Sequence, residues 1–585
     1  MVVLQKSKGQ NLLRGASVLT ASMLIVKLIG AVFKIPLGNI LNGSAMGYFN
    51  TAYNVFTMVY AFSTAGLPTA IAKMVAEQAA RGRWRDIRRI HDLSVKLFFF
   101  MGLAGTVLMA AFSKVYVTVA GNPGALFSVL AIAPAIFFGC MMSAYRGYYE
   151  GLRNMTPTAV SQIVEVVAKL VFGLSLSVLV VMYGNAQFEA GKEVFGVLCR
   201  NEAEATAAAA PYASAAAILG VTLSTLVGTV FLLLRHRFRG DEVTPEDLKY
   251  SPRAMRSQVL LVRLVKIAIP ISLGSIVMNV AQAVDTVTII NCLEVAFRKF
   301  PSAMAEIFSQ LIPAEVMAAG SGEAANFVFG SYSGYALSVF NLVPAFTSIF
   351  GKSALPNVAT CWSSGDRKGT RVNIESVVRM TSMIAAPASF GIFFMAKPIL
   401  ALLYPKMAAE VAIASGVLSW QGLSLVFLGL TVPLFAVLQG LGEVGLPPKY
   451  MLAGMAVKLG VNMITIIPAV NVNGAAAGTG ACYVVILILS IRGIKQVTHI
   501  RFSFMRLLAK PLLCGFLCGF SAWGVYSLLT GIVSERLLTL LAVAFAAMVY
   551  LLALLLTKAL CRDDIIMLPG GEKFAKLLAK YHCLG

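Results

Sequence analysis

The sequence predicts an all-α, multi-pass membrane protein of about fourteen transmembrane helices. They form two pseudo-symmetric lobes of six, with two extra helices at the C-terminal end. Three observations carry this prediction. Of 585 residues, 58% are hydrophobic and only 13% are charged, too little polar surface for a soluble chain of this length. The apolar residues fall into repeated runs of about 20, long enough to cross a bilayer as helices. The chain also contains itself twice, offset by about 288 residues. Gly47-Tyr48, Tyr53-Asn54 and Leu67-Pro68 return as Gly334-Tyr335, Phe340-Asn341 and Leu355-Pro356. Glu150-Gly151-Leu152, Pro157 and Lys169-Leu170 return as Gln439-Gly440-Leu441, Pro447 and Lys458-Leu459. Two similar membrane-embedded halves are the usual construction of a secondary transporter, with the substrate site between them near the midplane.

In chain order the runs centre on Lys27, Met58, Leu103, Phe137, Leu170 and Leu223, then Val277, Phe340, Pro387, Gly429, Val461 and Val484, and last Phe516 and Val543. Lys6, Lys8 and Arg14 precede a first run too long for a signal core, so it should stay as an anchor. Residues 1–234 form the first lobe, 235–258 a polar linker and 259–495 the second lobe. An outside insertion at 294–326 has no counterpart in the first half. Residues 496–557 hold the two additional helices. In the tail, 558–585, Phe574, Leu577, Leu578 and Tyr581 alternate with lysines as in a short amphipathic helix lying on a membrane surface. Pro36, Pro68, Pro270, Pro344, Pro356 and Pro387 should interrupt helices and mark moving parts. Gly515 and Gly519 form a G-x-x-x-G that suits close helix packing.

The net charge of +22 invites a nucleic-acid reading, but the distribution opposes it. Most of the 48 Lys and Arg lie in alternate loops and the tails. Arg81, Arg83, Arg85, Arg88 and Arg89 crowd one short loop, and Arg235, Arg237, Arg239, Arg253 and Arg256 the central one. This is the positive-inside pattern and places both termini in the cytoplasm. The nine cysteines form no C-x-x-C and the four histidines no ligand spacing, so neither metal nor cofactor is expected. Gly440-Leu-Gly442-Glu-Val-Gly445 matches a dinucleotide fingerprint but follows a membrane helix, so it reads as a turn. Gly351-Lys352-Ser353 lacks the first glycine of a P-loop, since position 346 is Phe346.

Charges inside apolar helices cost ~2.5–3.5 kcal/mol each and usually mark a cavity or pathway. Lys27 and Lys34 share one face of helix 1. Glu165 and Lys169 are four apart in helix 5 and can pair. Lys169 lies twelve residues beyond Pro157, and Lys458 eleven beyond Pro447, equivalent depths in the two repeats. Asp285 stands near Gln282 and Asn279 in helix 7, and Arg379 near the inner end of helix 9. Taken singly, Lys34 can snorkel outward, Glu165 can neutralise Lys169, and Arg379 can reach headgroups. Taken together, Lys27, Lys34, Lys169 and Lys458 would make a central cavity cationic and suited to a phosphate-bearing ligand. Glu165 and Asp285 are the candidates for ion coupling or pairing. Arg379, Gln282 and Asn341 are secondary candidates.

Ser63-Thr-Ala-Gly-Leu-Pro-Thr-Ala-Ile-Ala-Lys-Met-Val-Ala-Glu77, Arg146-Gly-Tyr-Tyr-Glu-Gly-Leu-Arg-Asn-Met-Thr-Pro157, Ser161-Gln-Ile-Val-Glu165 and Leu438-Gln-Gly-Leu-Gly442 resemble signatures of a known family. It is the stage V sporulation protein B group of the multidrug/oligosaccharidyl-lipid/polysaccharide exporter superfamily, and the resemblance covers essentially the whole chain. It implies a V-shaped pair of lobes and a flippase for a polyprenyl-diphosphate-linked saccharide, related to MurJ-type lipid II flippases and working by alternating access. The substrate would be lipid II or a related cell-wall, spore-cortex or polysaccharide precursor, crossing a bacterial cytoplasmic membrane with no bond made or broken. Lys27 and Lys34 match helix 1 positions where family members have Arg, which keeps the charge but loses the bidentate fork. Asp285 matches an acidic helix 7 position, and the last two helices would form a groove for the polyprenyl tail. Cell-wall or sporulation proteins are possible partners. A cation-coupled drug antiporter of the same superfamily and a non-transporting scaffold in a cell-wall or sporulation complex are the alternatives.

If the lysines face a water-filled cavity, cysteines placed at 27, 169 and 458 in a cysteine-free background will react with a water-soluble maleimide. Three lipid-facing, unreactive positions would remove the cationic cavity.

Overall fold

The computed structural model describes residues 12–64, 66–241, 243–500 and 504–557. The expected amphipathic tail and Lys6 and Lys8 lie outside the described residues. What is described is almost wholly helical, because backbone N–H and C=O groups in hydrocarbon must be satisfied within their own segment. The first half comprises α1 (Leu12–Ile40), α2 (Gly43–Thr64), α3 (Gly66–Ala80), α4 (Trp84–Val119), α5 (Leu126–Gly151), α6 (Thr156–Gly191) and α7 (Glu202–Arg239). Between α6 and α7 a small antiparallel hairpin pairs β1 (Glu193–Val194) with β2 (Val197–Leu198). The linker contributes α8 (Pro245–Tyr250) and leads into α9 (Ser257–Lys299). The insertion is helical, with α10 (Pro301–Phe308) and α11 (Ala314–Ala318). The next pass is built from α12 (Ser321–Ser331), a π-helical turn at Tyr332–Ala336, α13 (Leu337–Phe340) and α14 (Leu342–Ser363). Then follow α15 (Arg367–Leu403), α16 (Ala408–Gly440), α17 (Leu446–Thr465), α18 (Gly474–Thr498), α19 (Phe504–Leu529) and α20 (Glu535–Leu556).

Among the described residues ten helical spans are long and apolar enough to cross a membrane. Four further long helical runs, α1, α9, α12–α14 and α17, are consistent with the expected fourteen. Those four hold Lys27 and Lys34, Asp285, Asn341 and Lys458 respectively.

The prolines act differently from the expectation. Pro68 and Pro344 fall in the first turns of α3 and α14, where a missing N–H costs no helical hydrogen bond. Pro36, Pro356 and Pro387 sit inside continuous helices. In α15 the backbone leaves helical geometry at Met395 (φ −114°, ψ 19°), one turn before Pro398, whose ring clashes with the preceding turn.

The repeat reappears in backbone detail. Helices α5 and α16 both close on a glycine and a leucine, then take a left-handed residue, Arg153 (φ 60°) in one half and Gly442 (φ 94°) in the other. The same capping bonds recur: Asn154 N–H donates to the Tyr149 carbonyl at 3.0 Å, and Glu443 N–H to the Leu438 carbonyl at 2.9 Å. Gly442 is thus the left-handed end of a helix, as its place after an apolar run predicted. A Cβ at Gly151 would come within 2.8 Å of the Ala72 carbonyl, and one at Gly440 within 3.0 Å of the Leu355 carbonyl. Gly151 thus lets α5 close on α3, and Gly440 lets α16 close on α14. Gly515 and Gly519 serve α19 in the same way: added carbons would lie 2.6 Å from the backbone of Ala386 and 2.5 Å from that of Phe390 on α15.

The described chain forms two compact units, Met1–Asn291 with Pro313–Gly330, and Cys292–Ile312 with Ser331–Gly585. The second has a core of α14, α15, α16 and α18 around Val358, Ile374, Leu430, Leu434, Leu438 and Ile486. In the first, the central linker is bolted to α4. Asp86 accepts from the Met255 N–H at 2.7 Å, Arg89 donates to the Met255 carbonyl at 2.7 Å, and Arg85 to the Leu248 carbonyl at 3.0 Å. Asp241 accepts from Tyr148 at 2.8 Å and from Arg88 at 3.4 Å. Burial alone would raise the Asp241 carboxyl, but the bonds from Tyr148 and Arg88 outweigh it and hold the group below the ordinary carboxylate range. Arg85, Arg88 and Arg89 of the crowded loop therefore hold the linker in place.

With Asp86→Ala or Asp241→Ala the linker should detach. Limited trypsinolysis at Arg253 and Arg256 is then expected to accelerate several-fold while the helices stay protected. Unchanged cleavage in both variants would contradict the docking.

Candidate functional site

The first unit gathers charges that the sequence scatters over several helices. Helix α6 packs against α1 and α7, and Gly173 makes room for the Phe33 ring, which lies 2.7 Å from where its Cβ would be. That approach sets Lys169 over two aromatic faces. Its ammonium is 5.0 Å from the ring centre of buried Phe33 and 4.7 Å from that of Tyr53 on α2. Ring quadrupoles hold a cation there without neutralising it. Lys34 on α1 is within electrostatic reach of Lys169. Two like charges so placed repel, and an anion bridging them would remove the repulsion. Lys27, one heptad before Lys34, is exposed. Nearby α1 leaves open space, since a Cβ at Gly30 would meet nothing within 4 Å.

Glu165 behaves otherwise than its spacing suggested. Its ion pair goes to Arg146 on α5, at 2.9 Å, not to Lys169 one turn along. Arg146 also donates from Nε to the Ser161 hydroxyl at 2.9 Å, so one edge of the guanidinium serves both partners. The carboxylate is taken, and Lys169 keeps its charge for another partner. Arg146 was missed as a site residue, although the signal was the same one used for the lysines, a charge inside an apolar helix. Phe33 and Tyr53 carried no such signal.

The polar residues of α9 join this unit through Asn54, whose amide donates to the Thr286 hydroxyl at 2.7 Å. Thr286 in turn donates to the Gln282 carbonyl at 3.1 Å. Gln282 is exposed, and the adjacent Asp285 is half-buried. Ser22 on α1 donates to Gln162 on α6 at 3.4 Å. Lys34, Lys169, Glu165, Asp285 and Gln282 thus lie in one compact unit.

Lys458, Arg379 and Asn341 belong to the second unit. Lys458 is half-buried on α17 beside α18, where a Cβ at Gly478 would come within 3.2 Å of its carbonyl. Arg379 is half-buried on α15, and its carbonyl accepts from Ser382 at 2.8 Å. Asn341 is exposed at the break between α13 and α14. Beside that break, Gln421 on α16 donates to Tyr332 of the π-helical turn at 3.0 Å. Such turns inside α-helices are frequent at functional sites.

Comparison with known proteins agrees with this construction. A family model described as "Polysaccharide biosynthesis protein" matches residues 12–190, and one described as "Lipid II flippase MurJ" matches residues 324–544. Lipid II flippase MurJ of Bacillus subtilis (strain 168) is 22% identical over 515 residues, covering 86% of each chain. Stage V sporulation protein B of the same organism is 21% identical over 563 residues, covering 96% of this chain and 98% of its own. The chain is a homologue of MurJ and of stage V sporulation protein B, and both family models match it. It is a multi-pass membrane protein. Among solved structures, a MurJ in an inward closed conformation superposes with a TM-score of 0.56 at 13% identity, over 92% of this chain and 97% of the other. An inward-facing multidrug resistance MATE transporter gives 0.59 at 14%, over 83% and 98%. At such identities the structures establish the shared helical fold alone.

Removing one partner of the Arg146–Glu165 pair leaves a half-buried charge uncompensated. Glu165→Ala is expected to cost about 2 kcal/mol. Adding Arg146→Met should return more than half of that, read as thermal unfolding in detergent. Additive losses would show that the pair contributes no coupling.

Proposed function

We propose that this protein is a flippase that moves a polyprenyl-diphosphate-linked saccharide across a bacterial cytoplasmic membrane, lipid II or a related cell-wall, spore-cortex or polysaccharide precursor. The observation that carries the reading is the Lys169 ammonium held on the aromatic faces of Phe33 and Tyr53, with Lys34 on α1 within its electrostatic reach. A diphosphate is a compact multivalent anion, and lysines grip phosphate as mobile point charges. Lys27 and Lys458 would extend the cationic path. Residues 1–234 and 259–495 would be the two lobes of an alternating-access cycle, with both termini in the cytoplasm. α19 and α20 would guide the lipid tail. The family is one of transporters and flippases, and the cycle we propose makes and breaks no bond.

The relatives support this choice, since both family models and the Bacillus MurJ bear on lipid-linked or polysaccharide precursors by name. The drug-antiporter reading draws on the MATE likeness in fold. It needs a carboxylate free to bind a cation, and Glu165 is already engaged by Arg146. Asp285, half-buried on α9, is the other carboxylate that reading would use, and the one to test for proton coupling.

Native mass spectrometry of the purified chain with lipid II and with undecaprenyl phosphate tests the reading. Lipid II should bind selectively, and Lys34→Ala with Lys169→Ala should weaken it about tenfold or more. Equal binding of both lipids, unaltered in the variant, would put the antiporter and scaffold readings ahead.

A further inference from the structure

A second cationic site lies in the first unit, away from Lys34 and Lys169. A cleft of about 670 Å³ opens between α3 and the start of α9, lined by Lys73, Glu77, Gln258, Arg263 and Lys266 against Val259 and Val262. It sits at the end of the unit where α3 runs into the arginine-rich loop and the docked linker runs into α9. Three cations face one anion, and Glu77 already holds Arg263 at 2.5 Å. Lys73 and Lys266 line the cleft and are both exposed.

The wall of this cleft is as telling as its charge. Val259, Val262 and Lys266 of the wall, and Ile269 beyond it, recur at helical spacing along one stripe of α9. The three apolar members are each more than half exposed, at 54%, 53% and 53%. An apolar stripe with a lysine in its midst, beside a basic cleft at a helix end, fits an amphiphile with an anionic head. A soluble anion would use the charges and leave the stripe bare. Basic pockets between membrane helices at the interface are a recurring form of anionic-lipid recognition.

We propose that this cleft binds the phosphate of an anionic membrane lipid, with Lys73, Lys266 and Arg263 on the headgroup and the acyl chain along Val259, Val262 and Ile269. Glu77 competes with the lipid phosphate for Arg263. Headgroup binding therefore loosens the tie between α3 and α9, and the tie weakens headgroup binding. The sign of the Glu77 effect separates this proposal from a purely structural ion pair.

The test uses the full chain in phosphatidylcholine nanodiscs doped with phosphatidylglycerol, read by native mass spectrometry of retained lipid. Phosphatidylglycerol should be retained in preference to phosphatidylcholine. Lys73→Gln and Lys266→Gln break no ion pair, and each should lower that preference about fivefold. Glu77→Gln should raise it. Millimolar inorganic phosphate should not displace the lipid. The proposal is overturned if the two lipids are retained equally, if both lysine variants match the parent, or if Glu77→Gln lowers retention. Displacement by inorganic phosphate would overturn it too, by assigning the cleft to a soluble anion. Lipid II binding in the Lys73→Gln and Lys266→Gln variants, measured alongside, keeps this outcome distinct from the fate of the proposed function.

Discussion

The cost of a charge in an apolar surrounding governs this molecule. A chain that is 58% hydrophobic could have kept its helices free of ionisable groups. Instead Arg146, Glu165, Lys34 and Lys169 sit in them, and each has to be answered by a neighbouring helix. Arg146 answers Glu165 across α5 and α6. Aromatic faces from α1 and α2 answer Lys169 only in part, because a ring quadrupole steadies a cation but leaves its charge in place. The packing of α1, α2, α5 and α6 in the first unit meets these charges.

The same accounting separates structural from functional charge. Where a charge is met by an opposite charge and a further hydrogen bond, as at Arg146 with Glu165 and Ser161, it is balanced within the fold. The arginines around the linker are likewise engaged, with backbone carbonyls of residues 248 to 255 and with Asp241. Lys169 stands apart from both groups. The cleft of Lys73, Arg263 and Lys266 is an intermediate case, in which a single carboxylate meets three cations.

Glycine is the other recurrent device. In membrane helices of similar apolarity, close approach of backbones takes over from the hydrophobic driving force available in water. Gly151 and Gly440 perform this in equivalent places of the two halves, Gly173 admits Phe33, and Gly515 and Gly519 seat α19 on α15. The duplication visible in the sequence is therefore a duplication of packing, including the left-handed residue that follows α5 and α16.

Much of this was legible in the chain before folding was considered. Apolar run length determined the helices, because a bilayer admits little else, and the internal repeat determined their doubling. The G-x-x-x-G of α19 and the turn at Gly442 were readable because glycine's lack of a Cβ has a local meaning. The partners of the intramembrane charges were not. Helical spacing pointed Glu165 at Lys169, whereas the tertiary fold gave it to Arg146, nineteen residues away on another helix. Phe33 and Tyr53 look in sequence like any lipid-facing aromatics. The cleft beside Glu77 joins segments about 185 residues apart. Sequence by itself determined which groups must be buried at a cost. Only the tertiary structure decided which neighbour offsets each cost and which charges remain for a ligand, because that depends on contacts between helices that local periodicity does not encode.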